Sequence, residues 1–153
     1  MIPRSWLYVP ADDPVRLAKA AGRGADALII DLEDGVAPNA KPRAREHLAD
    51  FLTTSTDSGV PALWVRVNSD PELLEEDLVA ALRPGLSGIV MAKAESPGLI
   101  NSVAERLRSS GLGELGLMPL IETGLAVFSV ADLASVPGVT HLQVGEADLR
   151  ADM

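Results

Sequence analysis

The sequence predicts a parallel α/β fold in which short buried strands alternate with amphipathic helices. Six apolar runs of four or five residues recur along the 153 residues. Most runs are nearly continuous in apolar character, which is typical of strands buried on both faces of a sheet. The segments between them carry helix start signals, so the order predicts right-handed crossovers and a parallel sheet. Two architectures fit this pattern: an open doubly wound sheet, or part of an eightfold β/α barrel.

The predicted strands, in chain order, are Trp6–Val9, Ala27–Ile30, Leu63–Val67, Gly88–Met91, Leu117–Ile121 and His141–Val144. Three predicted helices begin where Asp or Ser precedes a proline, because such residues cap a helix and proline suits its first turn. These helices begin at Pro14, Pro71 and Pro97. Two further helices, at about 42–52 and 125–133, are less sharply marked. No repeat or linker interrupts the pattern, so we predict one domain over residues 1–153.

The composition excludes several classes of function. Hydrophobic residues make up 47% of the chain, which argues against intrinsic disorder. With no cysteine, disulfides and thiol chemistry are excluded. The net charge of -9 and the absence of a basic block argue against nucleic-acid partners. No apolar run approaches the roughly 20 residues that span a bilayer, and no secretion signal is visible, so we expect a cytoplasmic protein without a membrane partner.

Polar side chains recur where the predicted strands end. In parallel α/β folds the carboxyl ends of the strands share one face, where ligands bind. Five of the six strands deliver ionisable groups there, and those considered as site residues are Asp31, Glu33, Asp34, Arg66, Lys93, Glu122 and Asp148. Each group also has an ordinary structural explanation: an acidic turn, a solvated pair at a strand end, or a helix cap. Together they form a candidate site for a hard cation such as Mg²⁺, which binds through one or two carboxylates.

Arg66 is the most informative of these residues. It lies inside an apolar strand, where an unpaired charge is costly, so it requires a partner. That partner is either Asp31 or Glu33 in a structural pair, or an anionic ligand, and we favour the ligand. A guanidinium suits a bidentate grip on a substrate carboxylate.

Six segments, in this order, resemble those of the citrate lyase β-subunit-like proteins of the HpcH/HpaI aldolase and citrate lyase superfamily. The resemblance spans essentially the whole chain, through Arg4–Pro10, Asp31–Val36, Val65–Asn68, Lys93–Ser96, Leu120–Thr123 and Gly145–Leu149. It implies a TIM-barrel type β/α fold, of which about six of eight units are present here. It also implies a Mg²⁺-dependent carbon–carbon lyase that acts through a metal-stabilised enolate on an acyl-CoA thioester of the citryl-CoA, malyl-CoA or citramalyl-CoA type.

The resemblance also implies roles for individual residues. Glu122 and Asp148 would be the metal ligands, and Arg66 would hold the carboxylate of the keto acid. Glu33, Asp34 and Lys93 would belong to the polar network around that acid, with Glu33, Lys93 and Arg66 as the catalytic set. The backbone of Gly145 would lie beside the bound acid, and Glu122 would also belong to the substrate-binding set.

Two departures from the family pattern stand out. Ala92 occupies a position where the family usually has proline, which changes backbone rigidity but removes no chemical group. Family members also continue beyond the last motif, so we expect this chain to be part of a longer protein and to form a homo-oligomer, a trimer or a hexamer. Two alternative functions remain: a class II pyruvate-type aldolase acting on free hydroxy-keto acids, and a catalytically incompetent fragment acting as a binding or assembly module.

Overall fold

Parallel strands alternate with helices along the chain, as the apolar runs predict. The computed structural model describes residues 2–54 and 61–153. These residues fall into two units, whose boundary lies between Ser87 and Gly88.

The first unit contains three strands in the spatial order β1-β2-β3, all parallel. Its elements are β1 (Trp6–Pro10), α1 (Pro14–Ala20), β2 (Ala27–Asp31), α2 (Lys41–Thr54), β3 (Ala62–Val67) and α3 (Pro71–Ala81). All five residues of β2 are buried, because the strand lies between two neighbours and its side chains are covered on both faces. On one face the Trp6 and Trp64 rings pack edge to face, with their centroids 5.4 Å apart.

The second unit contains β4, β5 and β6, which also pair in parallel in chain order. Its elements are β4 (Leu86–Met91, which begins just before the boundary), α4 (Pro97–Ser109), β5 (Gly116–Ile121), α5 (Gly124–Phe128), α6 (Val130–Ala134), β6 (Gln143–Val144) and α7 (Glu146–Asp152). β5 is buried at all six positions, and α4 buries one apolar face, formed by Ile100, Val103, Ala104 and Leu107.

The predicted helix starts are confirmed by their caps. The Asp13 side chain accepts from Arg16 N at 2.9 Å, Asp70 accepts from two backbone N–H groups of α3, and Ser96 accepts from Leu99 N at 3.3 Å. Each cap satisfies N–H groups that the first turn of a helix otherwise leaves unbonded. α4 ends before Gly111, whose φ of 74° is the left-handed conformation that glycine adopts readily.

The prediction was wrong in detail near the C-terminus. The last strand is only Gln143–Val144, because the chain bulges ahead of it. Val139 bridges to Leu117, and Gln143 pairs with Leu120. The segment from Val139 to Gln143 is therefore one residue longer than the part of β5 that it faces, and the pairing is interrupted ahead of β6. The single helix predicted at 125–133 is two short helices separated at Ser129, and α7 was not predicted.

The predicted parallel α/β class is therefore confirmed over the described residues, whereas one domain over residues 1–153 stays a prediction. No helix within residues 2–54 and 61–153 is long and apolar enough to cross a membrane.

Candidate functional site

An arginine–aspartate pair lies at the ends of β2 and β3. The parallel register places Asp31, the last residue of β2, opposite Arg66 of β3. The guanidinium donates from Nε to Asp31 Oδ1 at 2.8 Å and from Nη2 to Asp31 Oδ2 at 2.6 Å. This fork-to-fork geometry is the strongest form of the arginine–carboxylate interaction. The register of the two strands therefore fixes the plane of the guanidinium.

Two further groups surround the same guanidinium. Glu33 Oε2 lies 3.2 Å from Arg66 Nη1, and the Tyr8 ring lies beneath the guanidinium carbon at 5.3 Å. Burial acts to lower the pKa of Arg66, but the hydrogen bonds to Asp31 and the negative charges of Asp31 and Glu33 outweigh it, so the pKa is raised above its ordinary value. Arg66 is therefore a permanent cation with a fixed orientation.

Of the two kinds of partner considered for Arg66, the carboxylates of the neighbouring strand and loop are present in the structure. Asp31 and Glu33 both form ion pairs with Arg66, whereas an anionic ligand bound by Arg66 stays a prediction. Asp31 and Glu33 are both buried, and both contact the guanidinium of Arg66. Asp34 is exposed, and its backbone N–H donates to Glu33 Oε2 at 2.9 Å.

A buried lysine that sequence reasoning missed holds the loop after β2. Lys41 Nζ donates to the carbonyl oxygens of Leu32 and Glu33, at 2.8 and 3.0 Å, and to Asn68 Oδ1 at 2.9 Å. Three acceptors satisfy the three N–H groups of the ammonium, which is what allows a lysine to be buried. The loop carrying Glu33 is thus attached to the start of α2.

The same network continues beneath the loop to a fully buried aspartate. Asp77 Oδ2 accepts from both the backbone and the side-chain nitrogen of Asn68, at 2.9 and 2.7 Å. Asp77 Oδ1 accepts from Arg45 Nε at 2.7 Å. A signal for these residues exists in the sequence, because Lys41 and Arg45 are spaced four apart and share the stripe of α2 that buries Leu48. Charged residues on a buried stripe indicate a buried polar network.

A second group of predicted residues meets at the end of β5, within the second unit. Glu122 directly follows β5 and is 2% exposed. Its Oε1 accepts from the backbone N–H of Lys93 at 2.6 Å, and its Oε2 faces Gly145. The capping explanation of Glu122 was wrong, because the side chain that caps α5 belongs to Thr123. Glu122, Lys93 and Gly145 are thus brought together, as the predicted site requires.

Asp148 lies in the first turn of α7 and is half-buried. The described part of the chain contains no group of three or more His, Asp or Glu side chains placed to hold a metal ion. The pairing of Glu122 with Asp148 as metal ligands stays a prediction.

A cleft of about 450 Å³ opens beside the loop after β2 and is lined by residues of that loop and of the β1–α1 connection: Pro10, Asp12, Asp13, Pro14, Arg16 and Gly35. A larger cleft, about 550 Å³, runs along β1 and the basic face of α1. We associate the smaller cleft with the site because of Gly35, which lines it. The Gly35 N–H donates at 2.9 Å to Asp31 Oδ2, the same oxygen that accepts a hydrogen bond from Arg66.

Comparison with known proteins places these groups in context. The family model for HpcH/HpaI aldolase/citrate lyase matches residues 4–153. A (3S)-malyl-CoA thioesterase from Cereibacter sphaeroides is 34% identical over 98% of this chain and 51% of its own length. A citrate lyase subunit beta-like protein from Deinococcus radiodurans is 31% identical over 98% of this chain and 54% of its own length. The chain thus spans about half the length of the curated relatives it matches.

Solved structures show the same similarity. A citrate lyase beta subunit from Mycobacterium tuberculosis, complexed with oxaloacetate and magnesium, superposes with a TM-score of 0.79 at 33% identity, over 96% of this chain and 60% of that one. The protein CitE from the same organism, in complex with magnesium, acetoacetate and coenzyme A, superposes with a TM-score of 0.78 at 33% identity, over 96% of this chain and 50% of that one. These matches, with six parallel β/α units, confirm a partial TIM-barrel type fold.

Proposed function

The chain belongs to the HpcH/HpaI aldolase/citrate lyase family, and from that premise we propose that it forms the acid- and metal-binding part of a Mg²⁺-dependent carbon–carbon lyase. The proposed substrate is an acyl-CoA thioester of a hydroxy acid, of the citryl-CoA, malyl-CoA or citramalyl-CoA type. The observation that carries the proposal is the buried carboxylate of Glu122, oriented at the end of β5 by the Lys93 N–H. A relative named citramalyl-CoA lyase, from Homo sapiens, is consistent with it.

The residues present fit a magnesium ion by the chemistry of their donors. Mg²⁺ prefers oxygen ligands, uses one or two carboxylates, and fills its other positions with water and substrate oxygens. Glu122 and Asp148 offer two such carboxylates within the second unit, and Gly145 leaves space beside Glu122 that any larger residue would fill. When bound, the ion would supply a Lewis acid that withdraws electrons from a substrate carbonyl.

Arg66 is the proposed binding group for the carboxylate of the keto acid. Three of its contacts hold it in place, so it can present its remaining N–H donors without losing side-chain freedom on binding. Its charge does not change over the range in which enzymes operate, because a guanidinium stays protonated there, and the surrounding carboxylates raise its pKa further.

The other predicted site residues keep the roles that the resemblance implies. Glu33 orients the Arg66 guanidinium, and we propose that Glu33 and Lys93 take part in catalysis. Asp34 and Gly145 line the bound acid in this proposal. Whether a proton moves through Glu33 or Lys93 is testable by the pH profile of each variant.

The direct test is cleavage of malyl-CoA, citryl-CoA and citramalyl-CoA, with Mg²⁺ present and after its removal by a chelator. We expect activity to require Mg²⁺, to fall about 100-fold or more in Glu122→Gln, and to show mainly a raised KM in Arg66→Lys. Glu114→Gln, a carboxylate change away from the described site, is the matched control. Activity that survives chelation, or a Glu122→Gln variant equal to wild type, would contradict the proposal.

The same assay separates the two alternatives. Turnover of free hydroxy-keto acids without a CoA requirement would indicate a pyruvate-type aldolase, an alternative supported by the pyruvate and magnesium complex of CitE. Binding of Mg²⁺ and oxaloacetate without turnover of any thioester would indicate a binding or assembly module. We also propose a homo-oligomer, a trimer or a hexamer, which sedimentation measurements will test.

A further inference from the structure

The backbone around Glu122 has two features that its role as a buried carboxylate does not by itself require. The first is the conformation of Lys93, whose φ is 48°. Among the described residues other than glycine it alone has a positive φ. Such a conformation is unfavourable for a side-chain-bearing residue and is retained only where the surroundings enforce it.

The backbone of the same residue contacts Glu122. The Lys93 N–H points at the carboxylate of Glu122 and donates to Oε1 at 2.6 Å, across 29 residues of sequence. A charge-assisted bond of this kind is strong enough to fix the rotamer of the acceptor. The unfavourable backbone of Lys93 and the orientation of Glu122 are therefore coupled.

The second feature is Gly145. Its φ of −91° and ψ of 85° do not demand glycine. However, a Cβ at this position would lie 2.6 Å from Glu122 Oε2 and 2.8 Å from Glu122 Cβ. The Gly145 backbone has little room to retreat, because its N–H donates to the Ile121 carbonyl and its own carbonyl accepts from Leu149 N, both at 3.0 Å. The glycine is thus required by the position of Glu122.

We propose that the backbone of Lys93 and the missing side chain of Gly145 act together as positioning elements for Glu122. They set the carboxylate orientation in which it meets a divalent cation. Neither residue is a metal ligand in this scheme. The inference rests on the proposed function, since it concerns the carboxylate that we assign to Mg²⁺. It assigns the positioning role to the backbone of Lys93, separately from any role of the Lys93 side chain.

Mg²⁺ binding to the full chain, measured by calorimetry, tests the proposal without relying on activity. We expect Gly145→Ala to weaken Mg²⁺ binding about tenfold or more, as is usual when the support of a metal ligand is removed. Gly98→Ala is the matched control, because its new Cβ would meet nothing closer than 3.9 Å. Circular dichroism and thermal melting of each variant report whether the fold is retained.

Substitutions of Lys93 separate the backbone from the side chain. Lys93→Gly keeps the N–H and adopts a positive φ easily, so Mg²⁺ affinity should stay within about threefold of wild type. Lys93→Val keeps the N–H but disfavours a positive φ, so the affinity should fall about tenfold. Equal affinities in wild type and Gly145→Ala, or equal losses in Lys93→Gly and Lys93→Val, would overturn the proposal.

An NMR measurement distinguishes failure of this inference from failure of the proposed function. The Lys93 amide proton should shift upfield and exchange faster in both Glu122→Gln and Gly145→Ala, without any metal present. If this proton is unaffected by either change, the positioning role is wrong even if Mg²⁺ binds. If the proton responds as expected but wild type binds no Mg²⁺, the proposed function fails while the backbone coupling stands.

Discussion

Arg66 shows how a charged residue can lie inside an apolar strand. Its side chain is 13% exposed, and Asp31 and Glu33 are 5% and 6% exposed. Desolvation opposes burying any of the three, but two carboxylates around one guanidinium offset this cost through short, well-aligned contacts. Removing any one of the three side chains should therefore lower the stability of the fold, because the others stay buried without their partner.

Replacing Arg66 by alanine should therefore destabilise the protein by about 3–5 kcal/mol, because two buried carboxylates lose their counter-ion. Arg66→Lys should cost less, since it keeps the charge but loses the bidentate geometry. Urea denaturation of each variant gives the free energy of unfolding. The matched control is Arg16→Ala, whose ion pair with Asp13 is exposed and should contribute less than about 1 kcal/mol. Similar losses at positions 16 and 66 would contradict this explanation.

In a second arginine–aspartate pair, Arg4 lowers the pKa of Asp26. Hydrogen bonds from the Arg4 side chain and from its backbone N–H lower the pKa of Asp26 from 3.8 to about 2. Because the folded pKa is depressed, the stabilisation by this pair is complete above pH 3.8 and is lost as the pH falls toward about 2.

An NMR titration of the Asp26 carboxyl carbon tests this directly. In Arg4→Gln the pKa should rise part of the way back toward 3.8, because the backbone N–H bond remains. Arg23→Gln, which removes a nearby exposed arginine, should leave the pKa near 2. A titration of Asp26 that is the same in wild type and Arg4→Gln would show that the side-chain bond is not the cause.

At the scale of elements, the start of α2 determines the shape of the loop after β2. Lys41 bonds the carbonyl oxygens of Leu32 and Glu33, while Asn68 Nδ2 donates to the same Leu32 carbonyl at 2.9 Å. Helix, loop and strand end are thus joined by one buried network of hydrogen bonds. Networks of this kind specify a single geometry when every member is satisfied.

Lys41→Met should consequently destabilise the first unit by about 1–3 kcal/mol, because it removes three buried hydrogen bonds and takes the Lys41 donor from Asn68 Oδ1, whereas the carbonyls of Leu32 and Glu33 keep the N–H donors of Asn68 and Val36. The methionine side chain preserves most of the volume, so the loss should reflect hydrogen bonding. Lys19→Met, on the exposed face of α1, is the control and should change the free energy of unfolding by less than about 0.5 kcal/mol. Chemical denaturation followed by tryptophan fluorescence reports on the first unit, since both tryptophans lie there.

At the scale of the whole molecule, apolar side chains are exposed on the short helices of the second unit. Phe128 is 92% exposed, Leu125 is 57% exposed and Val127 is 43% exposed, all on α5. Isolated apolar residues on a surface are common, but several on one short helix favour association with another surface. This observation accords with the proposed homo-oligomer.

Sedimentation velocity at increasing concentration should therefore show self-association of the chain. Phe128→Ser should weaken it about tenfold, as expected when burial of one large apolar side chain is lost. Val79→Ser is the control, because Val79 is also exposed but belongs to α3 and not to α5. A monomer at all concentrations, or equal effects of the two substitutions, would contradict a role for α5 in association.

Much of the fold was predictable because it depends on local chemistry. The first five strands agree with the sequence prediction to within two residues at either end, since continuous apolar runs between helix signals have few other structures open to them. The caps Asp13, Asp70 and Ser96 were predictable for the same reason. The bulge before β6 was not, because it depends on how residues 139–144 align with β5, which is a tertiary pairing.

The candidate site divides in the same way. By itself the sequence determined that Glu33, Lys93 and Glu122 follow strands and that Arg66 lies near the end of one, which makes these residues the candidates for a site. Only the tertiary structure decided their partners: Asp31 for Arg66, the Lys93 backbone for Glu122, and the buried Lys41 beneath the loop. The physical reason is that a strand end fixes where a side chain begins, whereas register, burial and backbone conformation fix which group it meets.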